Sequence, residues 1–309
     1  MSTFDDGIRA LFGDRARRAA PLAPLTTFKV GGAADWLVEA HRAEELSELV
    51  RLAARHGVPV TCLGGGSNVL VADRGVAGVL VRVHGGDIHR VDSRTIRSGA
   101  GVTINGLVRW TIGQGVAGLE AWAGTPGTVG GAIHGNAHFQ GRMIGELIER
   151  VTLVAPDGTV FDVPAAEMEF GYDTSRLHRT REMAIAADFR VIDGDPPTLR
   201  ATARQSLAFR KRTQPLASPS AGCIFQNPDP GRDNVPAGIP PSAGALVDRA
   251  GLKGARIGGA SVSTAHANFI VNEGGATAAD IRALIDKCRN TVAERFGVEL
   301  REEIVYLGF

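Results

Sequence analysis

Two glycine runs constrain this chain more than anything else in it. Gly118 to Ala137 reads GLEAWAGTPGTVGGAIHGNA and holds six glycines, with small or hydroxylated residues in most of the gaps. Upstream, Leu63 to Val71 reads LGGGSNVLV and follows an apolar stretch from Val58 to Leu63. Glycine costs conformational entropy, so a dense run needs a reason. Tight turns are one such reason. Another is a backbone that presses against a ligand and aims several N–H groups at it, and phosphate is the usual ligand of such a surface. Two runs in one chain point to one long anionic ligand held twice. Neither run is a P-loop, because no Gly-Lys-Ser/Thr follows. Neither fits GxGxxG between a strand and a helix with an acidic residue beyond.

The rest of the composition narrows the class. The 40 glycines among 309 residues exceed the usual share of about 7%. Lys and Arg total 34 against 33 acidic residues, so no strong field draws nucleic acid, and none is expected as a partner. Three cysteines, Cys62, Cys223 and Cys288, stand far apart, with neither metal-ligand nor disulfide spacing. That pattern fits a reducing cytoplasm and no metal site. Cys62 and Cys288 sit in apolar patterns and read as core residues. The first residues are charged throughout, unlike a signal peptide. No apolar run approaches the ~20 residues of a membrane span, so no membrane partner is expected.

Along the chain, helices and strands alternate, and the stretch up to the first glycine loop and the strand after it reads as a small α/β unit. Residues 1–20 read as a short helix with a basic tail, Arg15, Arg17 and Arg18, on a solvated face. A turn at Gly31-Gly32 leads into a strand. A helix over 43–56 carries Leu46, Leu49, Val50 and Ala53 on one face, and a buried strand, Val58 to Leu63, runs into the first glycine loop. Short β runs fill 76–101, and a helix over about 103–114 leads to the second loop. Residues 151–164 read as a hairpin around Asp157-Gly158, and 181–192 as a strand. Gly194–Pro197 reads as a linker. Beyond it come a basic helix over 198–212, a helix over 241–250 and strands around 255–263 and 267–272. A long helix is capped by Thr277 with Asp280 three residues on. An alternating strand closes the chain. The expected division of the chain is 1–84, 85–196 and 197–309.

Seven motifs stand in one order: TTFKVGG (26–32), LGGGSNVLV (63–71), GLEAWAGTPGTVGGA (118–132), PSAGCIFQNP (219–228), AGLKG (250–254), HANFIVN (266–272) and LREEI (300–304). Together they resemble the UDP-N-acetylenolpyruvoylglucosamine reductase family of bacterial peptidoglycan synthesis, from about residue 22 to 308. The chain lacks a long insertion in its last domain and looks like the shorter of the family's two types. The resemblance implies a vanillyl-alcohol-oxidase (PCMH) type of FAD-binding fold in two α+β subdomains, followed by an α+β substrate-binding domain. It implies FAD, bound non-covalently, with NADPH as reductant. Reduced flavin would pass hydride to the enolpyruvyl group of UDP-N-acetylglucosamine enolpyruvate, giving UDP-N-acetylmuramate. His84, His89 and His134 lie in the flavin half and leave a covalent attachment open.

On this resemblance Gly64, Gly65, Gly66, Ser67 and Asn68 face the pyrophosphate. Gly124, Thr125, Gly127, Thr128, Gly130, Gly131 and Ala132 approach the phosphates and the flavin ring. Hydride addition to an enolpyruvyl methylene leaves charge on the neighbouring carbon, which must be stabilised and then protonated. Cys223 stands where the family usually has a proton-donating serine, and an ordinary thiol is mostly protonated at neutral pH. A buried packing role is its alternative. Glu303 matches the family's C-terminal glutamate. Glu302 beside it points the other way on a strand, so only one of the two faces the site.

The main departure is FGYDTSRLH, 170–178. Asp173 occupies the place of an arginine that, in the family, polarises the substrate carboxylate. Arg176, three residues on, is expected to take over that role; a surface arginine pairing Asp173 is the alternative. Tyr172, Asn227 and the Arg210–Arg212 cluster are candidate substrate contacts, the cluster as a partner for the diphosphate. Gln226 stands where lysine is common. His266 and Asn268 match the HAN of the family motif. Two other functions fit less of the chain: an FAD oxidase of the same fold, and a non-catalytic flavin or nucleotide-sugar binding protein.

Overall fold

Alternating and continuous apolar runs set the strands. The computed structural model describes residues 3–309, which fall into two compact units. The first takes in the chain up to Ala20, Ala34–Gly65 and Ala77–Phe209; the second takes in Pro21–Ala33, Gly66–Val76 and Arg210–Phe309.

The first unit carries two sheets. In the four-stranded sheet the order is Ala16–Pro21, Ala33–Ala40, Val76–Val83, Val60–Leu63. The last two run parallel, with Val60 opposite Val79. The Ala43–Arg55 helix covers it, burying Leu46, Leu49, Val50, Leu52 and Ala53. The five-stranded sheet is antiparallel: Val160–Pro164, Ile148–Val154, Met183–Arg190, Thr95–Gly99, Ile88–Arg90. Its core gathers Ile96, Leu107, Trp122, Val129, Ile133, Val151, Leu153 and Phe189. The hairpin read around Asp157-Gly158 is present, with Gly158 at φ 81° as a tight turn needs.

The second unit packs the helices Ala243–Arg249 and Ala278–Phe296 against a three-stranded sheet, Arg256–Ile257, Ala260–Val262, Ile270–Asn272. Val305–Leu307 runs parallel to Val69–Val71, which places the 66–76 segment in this unit. The long helix has the capping box expected of Thr277 and Asp280, and it ends at Gly297 with φ 67°. Its first two N–H groups, on Ala278 and Ala279, donate to the two oxygens of Asp73 at 2.8 and 3.0 Å. A segment some two hundred residues upstream thus completes the N-terminus of this helix.

Three local expectations give way to the structure. The first helix stops at Phe12, because Gly13 turns the chain at φ 52°. Arg17 and Arg18 then lie on the Ala16–Pro21 strand, and all three basic residues are paired: Arg15 with Glu45, Arg17 with Glu39, Arg18 with Asp5. Gly194–Pro197 is largely a helix start. Asp195 accepts the Thr198 N–H, and the Pro196–Thr213 helix opens with Pro, whose missing N–H is no loss there. Cys62 is solvent-exposed rather than a core residue. Neighbouring protein atoms push its thiol up to about 11. Cys288 is buried as expected and is pushed up to about 12.

Asp73→Ala removes the acceptor of two N–H groups at the helix N-terminus and should destabilise the second unit by about 1 kcal/mol. Urea titration followed by hydrogen exchange of the Ala278–Phe296 helix checks this; an unchanged midpoint would show that the cap contributes nothing.

Candidate active site

The first glycine loop follows directly from the Val60–Leu63 strand. Gly64 and Gly65 lie against the second loop. A Cβ on Gly65 would stand 2.5 Å from the Gly127 Cα, and one on Gly64 would stand 2.8 Å from the Thr128 hydroxyl. Gly130 donates its N–H to the Ala100 carbonyl at 2.8 Å, and a Cβ there would meet the Ala100 side chain at 3.1 Å. These glycines are therefore required for backbone to touch backbone. That role comes before any ligand.

Around them the second loop is clamped. Asn105 accepts from the Gly124 N–H at 2.7 Å and donates to the Thr125 carbonyl at 3.2 Å. Thr128 caps the Val129–His134 helix, its hydroxyl accepting from Gly131, while Ala132 is buried in the following turn. Gly66 belongs to the second unit, and its carbonyl accepts the N–H and hydroxyl of Thr27. Among the described residues the N–H groups of Gly65, Gly66 and Ser67 reach no protein acceptor. Three successive donors without acceptors suit an anionic oxygen, which is what a pyrophosphate supplies.

Of the three histidines in this half, His84 stacks on His41 and His134 on His178. Burial and the neighbouring His178 push His134 down to about 4, which keeps it neutral. His89 is exposed.

In the second unit, backbone hydrogen bonds bring Cys223 and Glu303 to neighbouring segments. The Glu303 N–H donates to the Ile224 carbonyl at 2.8 Å, and Phe225 bridges Glu302. Asn68, at the end of the first glycine loop, donates its amide to the Glu303 carbonyl at 3.1 Å. The carboxylate of Glu302 is held by Arg282 at 3.1 Å and Arg289 at 2.6 Å.

Arg210 is only 6% exposed. Burial pushes its guanidinium down to about 10, against a smaller opposing effect of the Cys223 charge, so it stays cationic at neutral pH close to that thiol. Lys211 and Arg212 are exposed, so the basic cluster does not act as one patch.

The remaining candidates in this unit do structural work. Asn268 is 3% exposed and clamps Phe225, accepting its N–H at 2.9 Å and donating to its carbonyl at 2.7 Å. His266 accepts the Asn268 N–H on Nδ1 and packs on Phe269, and burial pushes it below its ordinary range. Asn227 accepts the Ala243 N–H at the start of the Ala243–Arg249 helix. Gln226 is half-buried and tied through its N–H to the Arg301 carbonyl.

Tyr172 is exposed on the turn 171–174. Arg176 makes a bidentate pair with Glu182, at 2.9 and 2.8 Å, and is largely buried. Its geometry holds the 176–182 turn together. Asp173 is not its partner; Asp173 pairs instead with His138 Nδ1 at 2.9 Å. Reading the sequence passes over His138. The one available signal was an acidic residue in an arginine's place, which asks for a counter-charge somewhere.

The FAD binding domain model matches residues 34–164, and the UDP-N-acetylenolpyruvoylglucosamine reductase C-terminal domain model matches 214–307. UDP-N-acetylenolpyruvoylglucosamine reductase 2 of Symbiobacterium thermophilum is 39% identical over all of this chain and 98% of its own. The reductase of Bacillus velezensis is 38% identical over 93% of this chain and 92% of its own. The crystal structure of UDP-N-acetylenolpyruvylglucosamine reductase from Thermus caldophilus aligns with a TM-score of 0.78 at 32% identity, covering 95% of this chain and 99% of that one. The α+β architecture with an FAD-binding domain ahead of a reductase C-terminal domain bears out the expected fold class. The chain belongs to the UDP-N-acetylenolpyruvoylglucosamine reductase family.

Proposed function

We propose that this protein uses NADPH and FAD to reduce UDP-N-acetylglucosamine enolpyruvate to UDP-N-acetylmuramate. The observation that carries the reading is the hydrogen bond from Glu303 N–H to the Ile224 carbonyl. It ties Cys223 and Glu303 to neighbouring backbone in the unit that the reductase C-terminal model covers. When bound, FAD supplies a two-electron relay, taking hydride from NADPH and giving it to the enolpyruvyl methylene carbon.

The chain's own residues do the rest. Gly65, Gly66 and Ser67 offer N–H donors to the pyrophosphate. The buried Arg210 cation lies close to the Cys223 thiol. Cys223 Sγ–H donates its proton to the carbon bearing the carboxylate, and the thiolate recovers a proton from solvent. Glu303 orients that donor. Three free cysteines suit a reducing cytoplasm, and no helix among the described residues is long and apolar enough to cross a membrane.

The test is anaerobic. NADPH should bleach the flavin band of the purified protein, and the enolpyruvyl nucleotide should restore it in one phase. A flavin that reduces and stays reduced would sink the substrate assignment. Cys223→Ala should slow the restoring step by about 10²–10⁴-fold, the usual worth of a general acid, and leave flavin reduction intact. Cys223→Ser should retain much of the rate, since a hydroxyl also donates. Equal rates in Cys223→Ala and wild type would remove the proton-donor role. Gly65→Val drives a side chain into the Gly127 backbone and should yield a purified protein with little flavin, read as absorbance per chain after incubation with FAD. Full flavin occupancy would show that this loop contact is dispensable.

A further inference from the structure

Glu303 is held at both of its backbone polar groups. Its N–H donates to the Ile224 carbonyl at 2.8 Å, and its carbonyl accepts from the Asn68 side-chain amide at 3.1 Å. The N–H belongs to the peptide plane before the Cα and the carbonyl to the plane after it. Peptide planes are rigid, so holding both fixes the two dihedrals of residue 303, and with them the direction of its side chain. The plane before has further support. The Glu302 carboxylate is bound by Arg282 and Arg289, and Gln226 donates its N–H to the Arg301 carbonyl at 2.9 Å. The plane after opens a bend at Ile304, short of the ladder that Val305–Leu307 forms with Val69–Val71. Asn68 spans this bend: its backbone carbonyl accepts the Val305 N–H at 2.9 Å while its amide reaches back to Glu303.

The same residue closes the first glycine loop. Gly66 and Ser67 precede it, and among the described residues their N–H groups reach no protein acceptor. The loop is packed on its other side. The Gly66 carbonyl accepts the N–H and the hydroxyl of Thr27 at 2.9 and 3.3 Å. Gly66 lies at φ 65°, and a Cβ there would collide with the Leu25 carbonyl oxygen. Cys223, Glu303 and the residues from Gly66 to Asn68 all belong to the second unit. The donors that suit an anion and the amide that fixes Glu303 thus stand on three consecutive residues.

We propose that Asn68 is a positioning residue that couples cofactor binding to the proton-donating site. An anion held by Gly66 and Ser67 steadies Asn68, and Asn68 steadies Glu303. The proposal rests on the reductase reading, which supplies the pyrophosphate as the anion and gives Glu303 its task. Asn68 acts through Glu303 rather than on the substrate. The Glu303–Ile224 bond carries the effect on to the segment of Cys223. Loading the cofactor and ordering the residues that deliver the proton become one event.

Hydrogen exchange and stopped-flow kinetics on the full-length protein test the coupling. FAD should slow exchange of the Glu303 and Gln226 amides in the wild type. It should not do so in Asn68→Leu, which has a similar size and no donor. In the half-reactions, Asn68→Leu should slow reoxidation by the enolpyruvyl nucleotide relative to reduction by NADPH by about 10²-fold, the cost of a small misplacement at a reacting centre. The same substitution in a Glu303→Gln background should add nothing, because the carboxylate it positions is gone. Equal slowing in both backgrounds would mark a general structural role and overturn the proposal, as would FAD-linked protection that survives in Asn68→Leu. If that variant does not retain flavin, the wild type decides: identical exchange at Glu303 with and without FAD overturns the coupling. A wild-type protein that binds FAD and is not reoxidised by the nucleotide would instead strike the reductase reading, since the exchange measurement involves no substrate.

Discussion

The flavin-binding unit depends on one contact in which backbone meets backbone with no side chain between. Gly65 and Gly127 approach so closely that a methyl on Gly65 has no room. Close packing of this kind cannot be relaxed locally, because both loops are anchored elsewhere. The first continues a parallel strand, and the second is pinned by Asn105 on one side and by the Thr128 cap on the other. Buried Trp122, Val129 and Ile133 set the second loop on the five-stranded sheet's core.

A related economy governs the second unit, with side-chain amides in place of glycines. Asn68 holds the Glu303 backbone, Asn268 holds both polar groups of Phe225, and Asn272 donates to the Phe28 carbonyl. Each amide is buried or half-buried and hydrogen-bonded to backbone, so each fixes a loop that has no regular ladder of its own. Cys223 and Glu303 inherit their positions from this network. Motif residues that look like ligand contacts, such as Asn268, thus serve the chemistry by holding its backbone still.

Local patterns carried the parts of the fold that local physics decides. Thr277 and Asp280 form the expected box, Gly297 ends the helix in the left-handed region, and the Asp157-Gly158 turn joins two antiparallel strands. The failures have physical causes too. Helical character over 1–20 ended at Gly13, where one positive φ outweighed the propensity of the residues beyond. Cys62 sits in an apolar run, but a strand next to an open loop exposes alternate residues. The pairing of Arg176 with Glu182 lies six residues away and could have been noticed; that of Asp173 with His138 spans a fold and could not. The resemblance named the motifs and left the compensation at the altered position unread.

The altered position shows how a fold accommodates an acid where its relatives' pattern has a base. A carboxylate at Asp173 would repel a carboxylate ligand if it faced one directly. Instead it is turned inward, 7% exposed, and pairs with His138 Nδ1 at 2.9 Å. The inward turn requires the left-handed backbone of Asp173, and that in turn requires Asn136 and Ser175 to hold the loop. The local sequence pattern sets none of this, because His138 and Asn136 come from a segment more than thirty residues upstream.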